Sequence, residues 1–290
     1  MSQKIFITGV SGAFGKLTSL ALAEKGHQVV GSMRTTGGKN TEVAAALRTA
    51  GVKLVEMDVT SDESVEQGVK QAVELLGTLD VVINNAGVGS IGLMEAFTPA
   101  DMQKVFDVNV FGVQRVMRAA APLLRKQGKG TVIQISSCIG RLTGPFYGTY
   151  SASKWALEAL AESYRNELAP FGIESCIVEP GGMPTGFMDS LLRPSDQATL
   201  DSYGDMAKVP EIGLQHFTQA VNANPAQRPE KVAEAIAALL DQAHGEKPFR
   251  IVVDHMGMAE GVEAYNELLH NVTRQVYTSF GNADMLSLNK

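Results

Sequence analysis

The most informative side chains for chemistry are a tyrosine and a lysine four positions apart, Tyr150 and Lys154. On a helix this spacing puts both side chains on one face. An ammonium beside a phenol stabilises the phenolate, and lowering the phenol pKa from about 10 to near neutrality takes about 3 units, or ~4 kcal/mol. Such a tyrosine can act as a general acid or base. The pair alone is also common on helix surfaces, so its significance depends on the other motifs, beginning with Ser137 upstream of it.

A glycine-rich turn near the N-terminus is the second motif. Small residues there let the backbone approach a pyrophosphate, and a following helix offers free N–H groups and the positive end of its dipole. An ordinary strand-to-helix turn has the same composition, but its position after the first predicted strand favours a dinucleotide site. The residues expected to contact the cofactor are Thr8, Gly9, Ser11, Gly12, Ala13, Phe14 and Gly15.

The end of the second predicted strand distinguishes between the two nicotinamide cofactors. An NAD site expects a carboxylate about 20 residues after the glycines, to bind the ribose diol. No Asp or Glu occurs between Gln28 and Asn40. Met33 cannot accept a hydroxyl hydrogen bond, whereas the fork of Arg34 suits a 2′-phosphate, unless it is simply a solvated loop residue. The sequence therefore predicts NADP(H) rather than NAD(H).

Polar residues also follow the next two predicted strands. They are Asp58 with Val59, and Asn84, Asn85, Ala86 and Gly87. Asn and Asp are common in turns, so turn formation is the alternative explanation. Asn109 falls inside a helical, mostly apolar stretch, where asparagine is unfavourable. A buried or kink-forming role is expected for it.

The elements that must position these residues alternate along the chain. Short apolar runs predict strands, and amphipathic stretches between them predict helices. This pattern predicts an α/β fold of the doubly wound Rossmann type, with a parallel sheet covered by helices on both faces. The predicted strands are 4–8, 28–33, 52–57, 79–84, 131–136, 173–178 and 249–254, and the predicted helices are about 17–26, 40–50, 62–76, 99–127, 150–170 and 228–243.

Two segments depart from the alternation. Residues 185–226 are irregular and too long for an ordinary loop, which is typical of a substrate lid or binding segment. Its Phe and Met residues suit either an adaptable apolar pocket or the packing face of a lid: Met183, Met188, Met206, Phe187 and Phe217. Residues 256–290 form a C-terminal extension with one helix at 259–278. We expect a single domain over 1–255.

Composition excludes several classes of protein. The formal net charge is −6, which argues against a nucleic-acid surface. No apolar run approaches the ~18 residues that a membrane span needs. The five histidines show no zinc-like spacing with other ligands, so no metal is expected. Two cysteines cannot form a disulfide framework, and a reducing, cytoplasmic location is expected.

Together these residues resemble the short-chain dehydrogenase/reductase family over about residues 3–255. The family's Thr-Gly-x-x-x-[Ala/Gly]-x-Gly turn is similar to Thr8 through Gly15, and its Asn-Asn-Ala-Gly signature to residues 84–87. Flanking sequence around Tyr150 further resembles the branch of retinol and 17β-hydroxysteroid dehydrogenases. The family's catalytic tetrad corresponds to Asn109, Ser137, Tyr150 and Lys154, and its segment that closes over the nicotinamide corresponds to Pro180, Gly181 and Thr185.

The resemblance implies a fold and a set of roles. Seven strands in the order 3-2-1-4-5-6-7 are expected, with Tyr150 moving a proton on the substrate oxygen, Ser137 bonding that oxygen, and Lys154 binding the nicotinamide ribose. Asn109 positions a water, Thr185 binds the carboxamide, and Asp58 and Val59 contact the adenine. Asn85, Ala86 and Gly87, with Tyr150 and Lys154 themselves, complete the cofactor contacts. A homodimer or homotetramer formed through the two long helices is also implied.

One departure and two alternatives complete the hypothesis. Many NADP-preferring members have a basic residue where this chain has Gly12, so Arg34 would carry most of the preference. The expected activity is NADP(H)-dependent interconversion of an apolar alcohol and its ketone or aldehyde. The alternatives are a non-catalytic NADP-sensing protein and a 3-oxoacyl-carrier reductase. The last would need a basic patch, for which Arg193 and Lys208 are the candidates.

Overall fold

The computed structural model describes residues 2–288, and within this range seven strands form one sheet. Every neighbouring pair is parallel, and the order β3-β2-β1-β4-β5-β6-β7 confirms the predicted sheet. Each predicted strand is present, and no end is shifted by more than two residues. The strands are β1 (Lys4–Thr8), β2 (Gln28–Met33), β3 (Lys53–Glu56), β4 (Val81–Asn84), β5 (Gly130–Ile135), β6 (Ile173–Pro180) and β7 (Arg250–Val253).

Helices cover both faces of the sheet. Ile5 and Ile7 of β1 pack against α1, α2 and α9, while Phe6 between them packs against α3, α5 and α6. Successive strand residues point to opposite faces, so one apolar run supplies two cores. The helices are α1 (Ala13–Glu24), α2 (Thr41–Thr49), α3 (Asp62–Leu76), α4 (Pro99–Phe106), α5 (Gly112–Gln127), α6 (Gly148–Leu168), α7 (Gln197–Ser202), α8 (Val209–Ala223), α9 (Glu230–Asp241) and α10 (Ala259–Ser279).

Two helix predictions need correction. The first helix starts at Ala13 rather than near residue 17, because the second half of the glycine-rich motif is its first turn. The stretch 99–127 is not one regular helix. Asp107–Phe111 form a π-helical turn between α4 and α5. Inserted turns of this kind are frequent at functional sites, and this one contains Asn109.

The segment 185–226 is more regular than its composition indicated, because it contains α7 and α8. Its first part is bonded to the loop after β4: Leu192 N–H donates to Gly89 O at 2.9 Å, and Ile91 N–H donates to Leu192 O at 3.0 Å. Ser195 donates to Asp101 of α4 through both its hydroxyl (2.6 Å) and its N–H (3.1 Å). The first part of the segment is therefore attached to the loop after β4 and to α4.

The C-terminal extension forms the long helix α10, in agreement with the predicted 259–278. It packs beside β7, and Val262 and Asn266 are its buried residues. Tyr277 accepts a hydrogen bond from Asn166 of α6 at 2.5 Å. No helix within residues 2–288 combines the length and apolarity needed to cross a bilayer.

Candidate active site

One large cavity lies at the carboxyl ends of the strands. Its volume is about 890 Å³. The loops after β1 to β6 all contribute to its wall, as expected for a doubly wound sheet. It is large enough for a dinucleotide and an organic substrate together. The predicted residues that line it are Gly9, Ser11, Gly12, Ala13, Phe14, Gly15, Arg34, Asp58, Val59, Asn85, Ala86, Gly87, Ser137, Tyr150, Lys154, Pro180, Gly181 and Thr185.

The glycine-rich turn after β1 forms a backbone cradle. Gly9 has φ +73°, and a Cβ on it would lie 2.7 Å from the Ala86 Cα. A Cβ on Gly15 would lie 2.6 Å from the Asn85 Nδ2, so both positions require glycine. Gly12 is the N-cap of α1 and offers no side-chain cap, and the first turn carries no acidic residue. A helix start with free N–H groups at a cavity wall fits a pyrophosphate.

Thr8 lies behind this wall and not on it. Its hydroxyl accepts hydrogen bonds from the N–H groups of Asn85 and Ala86, both at 3.0 Å. The Asn85 side chain donates back to Thr8 O at 2.8 Å and to Gly9 O at 3.1 Å. The cofactor contact predicted for Thr8 stays a prediction. Its observed role is to join the turn after β1 to the loop after β4.

The ends of β2 and β3 form the far end of the cavity. Arg34 is exposed there, and it is the one cationic side chain among the lining residues at this end. Asp58 accepts hydrogen bonds from the Thr60 N–H (2.9 Å) and hydroxyl (2.8 Å). Burial opposes ionisation, but these bonds and the Arg34 charge hold the pKa of Asp58 below its usual value. Arg34 is therefore the cationic side chain available to an anionic phosphate at this end of the cavity.

Ser137, Tyr150 and Lys154 meet at the other end. Ser137 follows β5, its hydroxyl donates to Pro180 O at 3.3 Å, and the Tyr150 ring is 8% exposed. The Lys154 Nζ donates to Ile135 O at 2.7 Å and lies 5.8 Å from the Tyr150 ring centroid. All three residues line the cavity.

The protonation of this group differs from the expectation that Lys154 brings the Tyr150 pKa toward neutrality. Burial raises the pKa of Tyr150 above its ordinary value, and the nearby Ser137 hydroxyl opposes this only in part. Burial also lowers the pKa of Lys154 to about 8. Desolvation by burial is the largest cause of both pKa shifts. A neutral phenol is the form that can donate a proton to a carbonyl oxygen.

Asn109 is fully buried in the π-helical turn and does not line the cavity. Its Oδ1 accepts from Val88 N–H and its Nδ2 donates to Val88 O, both at 2.8 Å. A second donation, at 2.9 Å, reaches the Ser153 hydroxyl. A Cβ on Gly87 would lie 3.4 Å from the Asn109 Oδ1 and 3.7 Å from the Lys154 Nζ. Asn109 thus holds the loop after β4 beside Lys154.

Two buried polar residues behind the segment after β6 were not predicted. Gln227 donates to Gly182 O at 2.6 Å and accepts from His255 N–H at 2.7 Å. The Asp254 carboxylate packs so closely on Gly181 that a Cβ there would overlap it. No spacing signal identifies either residue, because each acts on a segment far away in sequence. Their effect is to hold the chain where it leaves Pro180.

The substrate end of the cavity is apolar. The Phe187 ring lies 5.7 Å from the Tyr150 ring, measured between centroids. Met183, Met188 and Phe217 also line the wall, which favours the pocket alternative for these residues. Met206 does not line it and is 45% exposed.

A buried charge cluster behind the catalytic residues was also missed. Arg141, Glu158, Glu179 and Arg250 are almost fully inaccessible. Burial and the neighbouring Glu158 raise the pKa of Glu179 to about 8. Asn266 of α10 joins the cluster, accepting from Arg141 Nε at 2.8 Å and donating to Glu179 at 2.6 Å. Its members come from five separate segments, so sequence spacing could not reveal it.

The basic patch considered for a carrier-bound substrate does not form a free cationic surface. Arg193 pairs with Glu211 at 3.1 Å, and Lys208 pairs with Asp205 at 2.8 Å.

Among residues 2–288 no group of three His, Cys, Asp or Glu side chains is arranged to hold a metal ion. The cavity therefore offers a proton donor, an ammonium and a dinucleotide cradle.

Comparison with known proteins agrees with this geometry. The family model described as short chain dehydrogenase matches residues 3–195. The chain is 40% identical over 188 residues to the 3-ketodihydrosphingosine reductase of Bacteroides thetaiotaomicron, covering 65% of this chain and 66% of that protein. It is 34% identical over 254 residues to retinol dehydrogenase 8 of Bos taurus, covering 83% and 78%. The aligned part thus spans just under two thirds of the first relative.

Solved structures share the whole fold. A short-chain dehydrogenase from Streptomyces avermitilis superimposes with a TM-score of 0.75 at 28% identity, over 97% of both chains. An alcohol dehydrogenase from Thermococcus sibiricus, complexed with 5-hydroxy-NADP, gives 0.68 at 25% identity, over 86% and 95%. A short-chain dehydrogenase/reductase from Burkholderia phymatum in complex with NAD gives 0.75 at 25% identity, over 93% and 95%.

Proposed function

Because the chain belongs to the short-chain dehydrogenase family, we propose that it is an NADP(H)-dependent oxidoreductase that interconverts an apolar alcohol and its ketone or aldehyde. The observation that carries the proposal is the meeting of Ser137, Tyr150 and Lys154 at one wall of the cavity, opposite the backbone cradle. A binding module alone would not need a buried proton donor beside a buried ammonium.

In the reductive direction Tyr150 donates its phenolic proton to the substrate carbonyl oxygen. Its raised pKa keeps it protonated at neutral pH, which suits this role. The Ser137 hydroxyl bonds the same oxygen, and the Lys154 ammonium stabilises the charge that develops on the phenol. When bound, the nicotinamide cofactor supplies the hydride or accepts it. In the oxidative direction the proton returns to Tyr150.

The preference for NADP(H) is proposed from the end of β2. Arg34 is exposed at the cavity and has no hydrogen-bonded or ion-paired partner among the described residues, so its guanidinium is available. Met33 beside it offers no acceptor for a ribose hydroxyl. A charge-assisted bond to a 2′-phosphate supports a preference of about one to two decades.

The proposed substrate is a long apolar alcohol or carbonyl compound. The walls near Tyr150 are formed by Phe187, Met188, Leu214 and Phe217, which provide apolar contacts and few hydrogen bonds. The relatives named as retinol dehydrogenase and 3-ketodihydrosphingosine reductase motivate retinoids and long-chain ketones as the first compounds to test.

A homodimer or homotetramer is proposed as the working assembly. The exposed apolar side chains Phe111 (50%) and Trp155 (40%) lie at the start of α5 and on α6, the two long helices expected to meet in a subunit interface. A cytoplasmic location is also proposed, supported by the two buried free thiols, Cys138 and Cys176.

The test is the initial rate of NADPH and, separately, NADH oxidation against retinal, long-chain ketones, steroids and simple aldehydes. We expect turnover with NADPH and a loss of 10²-fold or more in Tyr150→Phe. Tyr164→Phe removes a hydroxyl that bonds Gln114 far from the cavity and serves as the matched control. Tight NADPH binding without any turnover would instead support the non-catalytic sensor.

A further inference from the structure

Behind the catalytic lysine lies a carboxylate that the proposed mechanism does not use. Glu158 follows Lys154 by four residues on α6, so the two side chains project from one face of the helix. Glu158 is 2% exposed and Lys154 is 4% exposed. A carboxylate placed so deeply requires partners, because an isolated buried charge is unstable.

The partners of Glu158 are arginines on its far side. Its Oε2 accepts hydrogen bonds from the Nε and Nη2 of Arg250, both at 3.1 Å, and lies 3.8 Å from Arg141 Nη1. Its other oxygen, Oε1, has no hydrogen-bond donor within residues 2–288. The arginines therefore anchor one oxygen only.

Gly140 packs against the stems of both Lys154 and Glu158. A Cβ on Gly140 would lie 3.3 Å from the Lys154 Cβ and 3.4 Å from the Glu158 Cγ. The lysine Nζ donates to Ile135 O and makes no hydrogen bond to the carboxylate. Both groups are buried, where charges interact more strongly than at the surface, and the charge of Glu158 favours the ammonium form of Lys154.

The other charged groups near Lys154 are arranged around Glu158. On α6 itself the titratable side chains near Lys154 are Tyr150 and Glu158. The loop after β4 presents Gly87, and the π-helical turn presents Asn109, neither of which carries a charge. Behind Glu158 stand Arg141 from the loop after β5, Glu179 from β6 and Arg250 from β7. Burial lowers the pKa of Lys154, and the charge of Glu158 opposes that lowering.

We propose that Glu158 is a positioning residue that acts through Lys154, holding the buried side chain in its ammonium form and so setting the upper pH limit of turnover. The effect on turnover rests on the proposed function, because it requires Lys154 to take part in the reaction. The effect of Glu158 on the charge of Lys154 does not. It concerns a residue outside the tetrad, anchored by strand β7 and by the loop that carries Ser137.

The matched pair of variants is Glu158→Gln and Glu162→Gln. Glu162 lies one helical turn further on and also pairs with Arg250, at 2.7 Å, but it is further from Lys154 and partly exposed. Both substitutions remove one ion pair from Arg250, and Glu158→Gln also removes the longer contact with Arg141. Two readouts are needed: the ¹³C NMR titration of Lys154 in lysine-labelled protein, assigned by its loss in Lys154→Arg, and the pH profile of kcat with NADPH and the best ketone.

In Glu158→Gln we expect the titration midpoint of Lys154 and the pH at half-maximal kcat both to fall by about one pH unit or more. In Glu162→Gln both should match the unmodified protein. If Glu158→Gln does not fold, Glu158→Asp retains the charge but withdraws it by one methylene, and a smaller shift in the same direction is expected.

Equal shifts in the two glutamine variants, or no shift in Glu158→Gln, would overturn the proposal. If Glu158→Gln does not fold, an unshifted Lys154 titration midpoint in folded Glu158→Asp would overturn it as well. Failure of the proposed function gives a different result: no turnover at any pH, with the Lys154 midpoint still falling in the Glu158 variant. The two ideas can therefore fail separately.

Discussion

At the scale of single residues, burial controls the chemistry. Tyr150 and Lys154 are shifted in opposite directions, the phenol toward its neutral form and the ammonium toward deprotonation. Both shifts follow from the loss of water around a charge. A buried acid of this kind is ready to give a proton, and its lysine partner retains its charge only over a limited pH range.

That range gives a prediction for the pH dependence of reduction. The pKa of Lys154 is lowered to about 8, so the side chain is an ammonium below this value and neutral above it. The rate with NADPH is expected to decline as the pH rises through about 8. Lys154→Arg keeps its charge at higher pH, so its lower rate should lack this decline. A rate that stays constant to pH 9.5 in the unmodified enzyme would contradict the assignment.

A second prediction at this scale concerns Arg34. Replacing it with Ala removes the guanidinium available to a 2′-phosphate, so kcat/KM for NADPH should fall about 10- to 100-fold while that for NADH stays within about twofold. Arg48→Ala, on the exposed side of α2, removes the same charge away from the cavity wall and is the control. An equal loss of kcat/KM for both cofactors would show that Arg34 does not bind the 2′-phosphate.

At the scale of elements, the C-terminal helix is joined to the active-site loops. Asn266 of α10 bridges Arg141, in the loop after Ser137, and Glu179, the residue before Pro180. Tyr265 adds a cation–π contact with Arg141, with 4.9 Å between the guanidinium carbon and the ring centroid. The helix thus supports two segments that form the cavity wall, although it follows the last strand of the sheet.

Replacing Asn266 with Leu should therefore be strongly destabilising. It leaves a buried guanidinium and a buried carboxyl group each without its hydrogen bond to Asn266, at a cost of about 2–4 kcal/mol. Urea unfolding monitored by circular dichroism measures this loss. Gln275→Leu makes the same type of change on the exposed side of α10 and should be close to neutral. If both variants unfold at the same urea concentration, the bridge has little energetic importance.

At the scale of the whole molecule, the cavity cuts into the edge where six strands end, and the two apolar cores lie on either side of the sheet. Hydrogen bonds join the segments around the cavity, for example Thr8 with Asn85 and Gln227 with Gly182. A cofactor that fills the cavity would add contacts between loops that follow different strands.

Cofactor binding is accordingly predicted to stabilise the fold as a unit. At a concentration 100 times the Kd, NADPH should add about 2.7 kcal/mol to the free energy of unfolding, which raises Tm by several degrees. NADH at the same concentration should raise it less, because Arg34 gains no phosphate partner. Differential scanning fluorimetry measures both shifts. An equal rise with both cofactors would argue against the NADP preference.

The sequence alone determined the sheet and most of the cavity wall. Strands such as β1 are runs of apolar residues, and helices such as α3 have apolar residues at helical spacing, so local pattern identified them. Gly9 and Ser137 were predicted to face the site because parallel strands bring their carboxyl ends to one edge, and Tyr150 and Lys154 because a spacing of four residues puts them on one helix face. These features depend on periodicity and on order along the chain, both of which are local properties.

Only the tertiary structure showed which charged side chains are buried together and how their surroundings shift their pKa values. The cluster of Arg141, Glu158, Glu179, Arg250 and Asn266 brings together side chains up to 125 positions apart. The direction of the Tyr150 pKa shift came out opposite to the prediction, because spacing indicates which groups are neighbours but not how much water remains around them. Desolvation depends on the packing of every element around a site, and no pattern along the chain encodes it residue by residue.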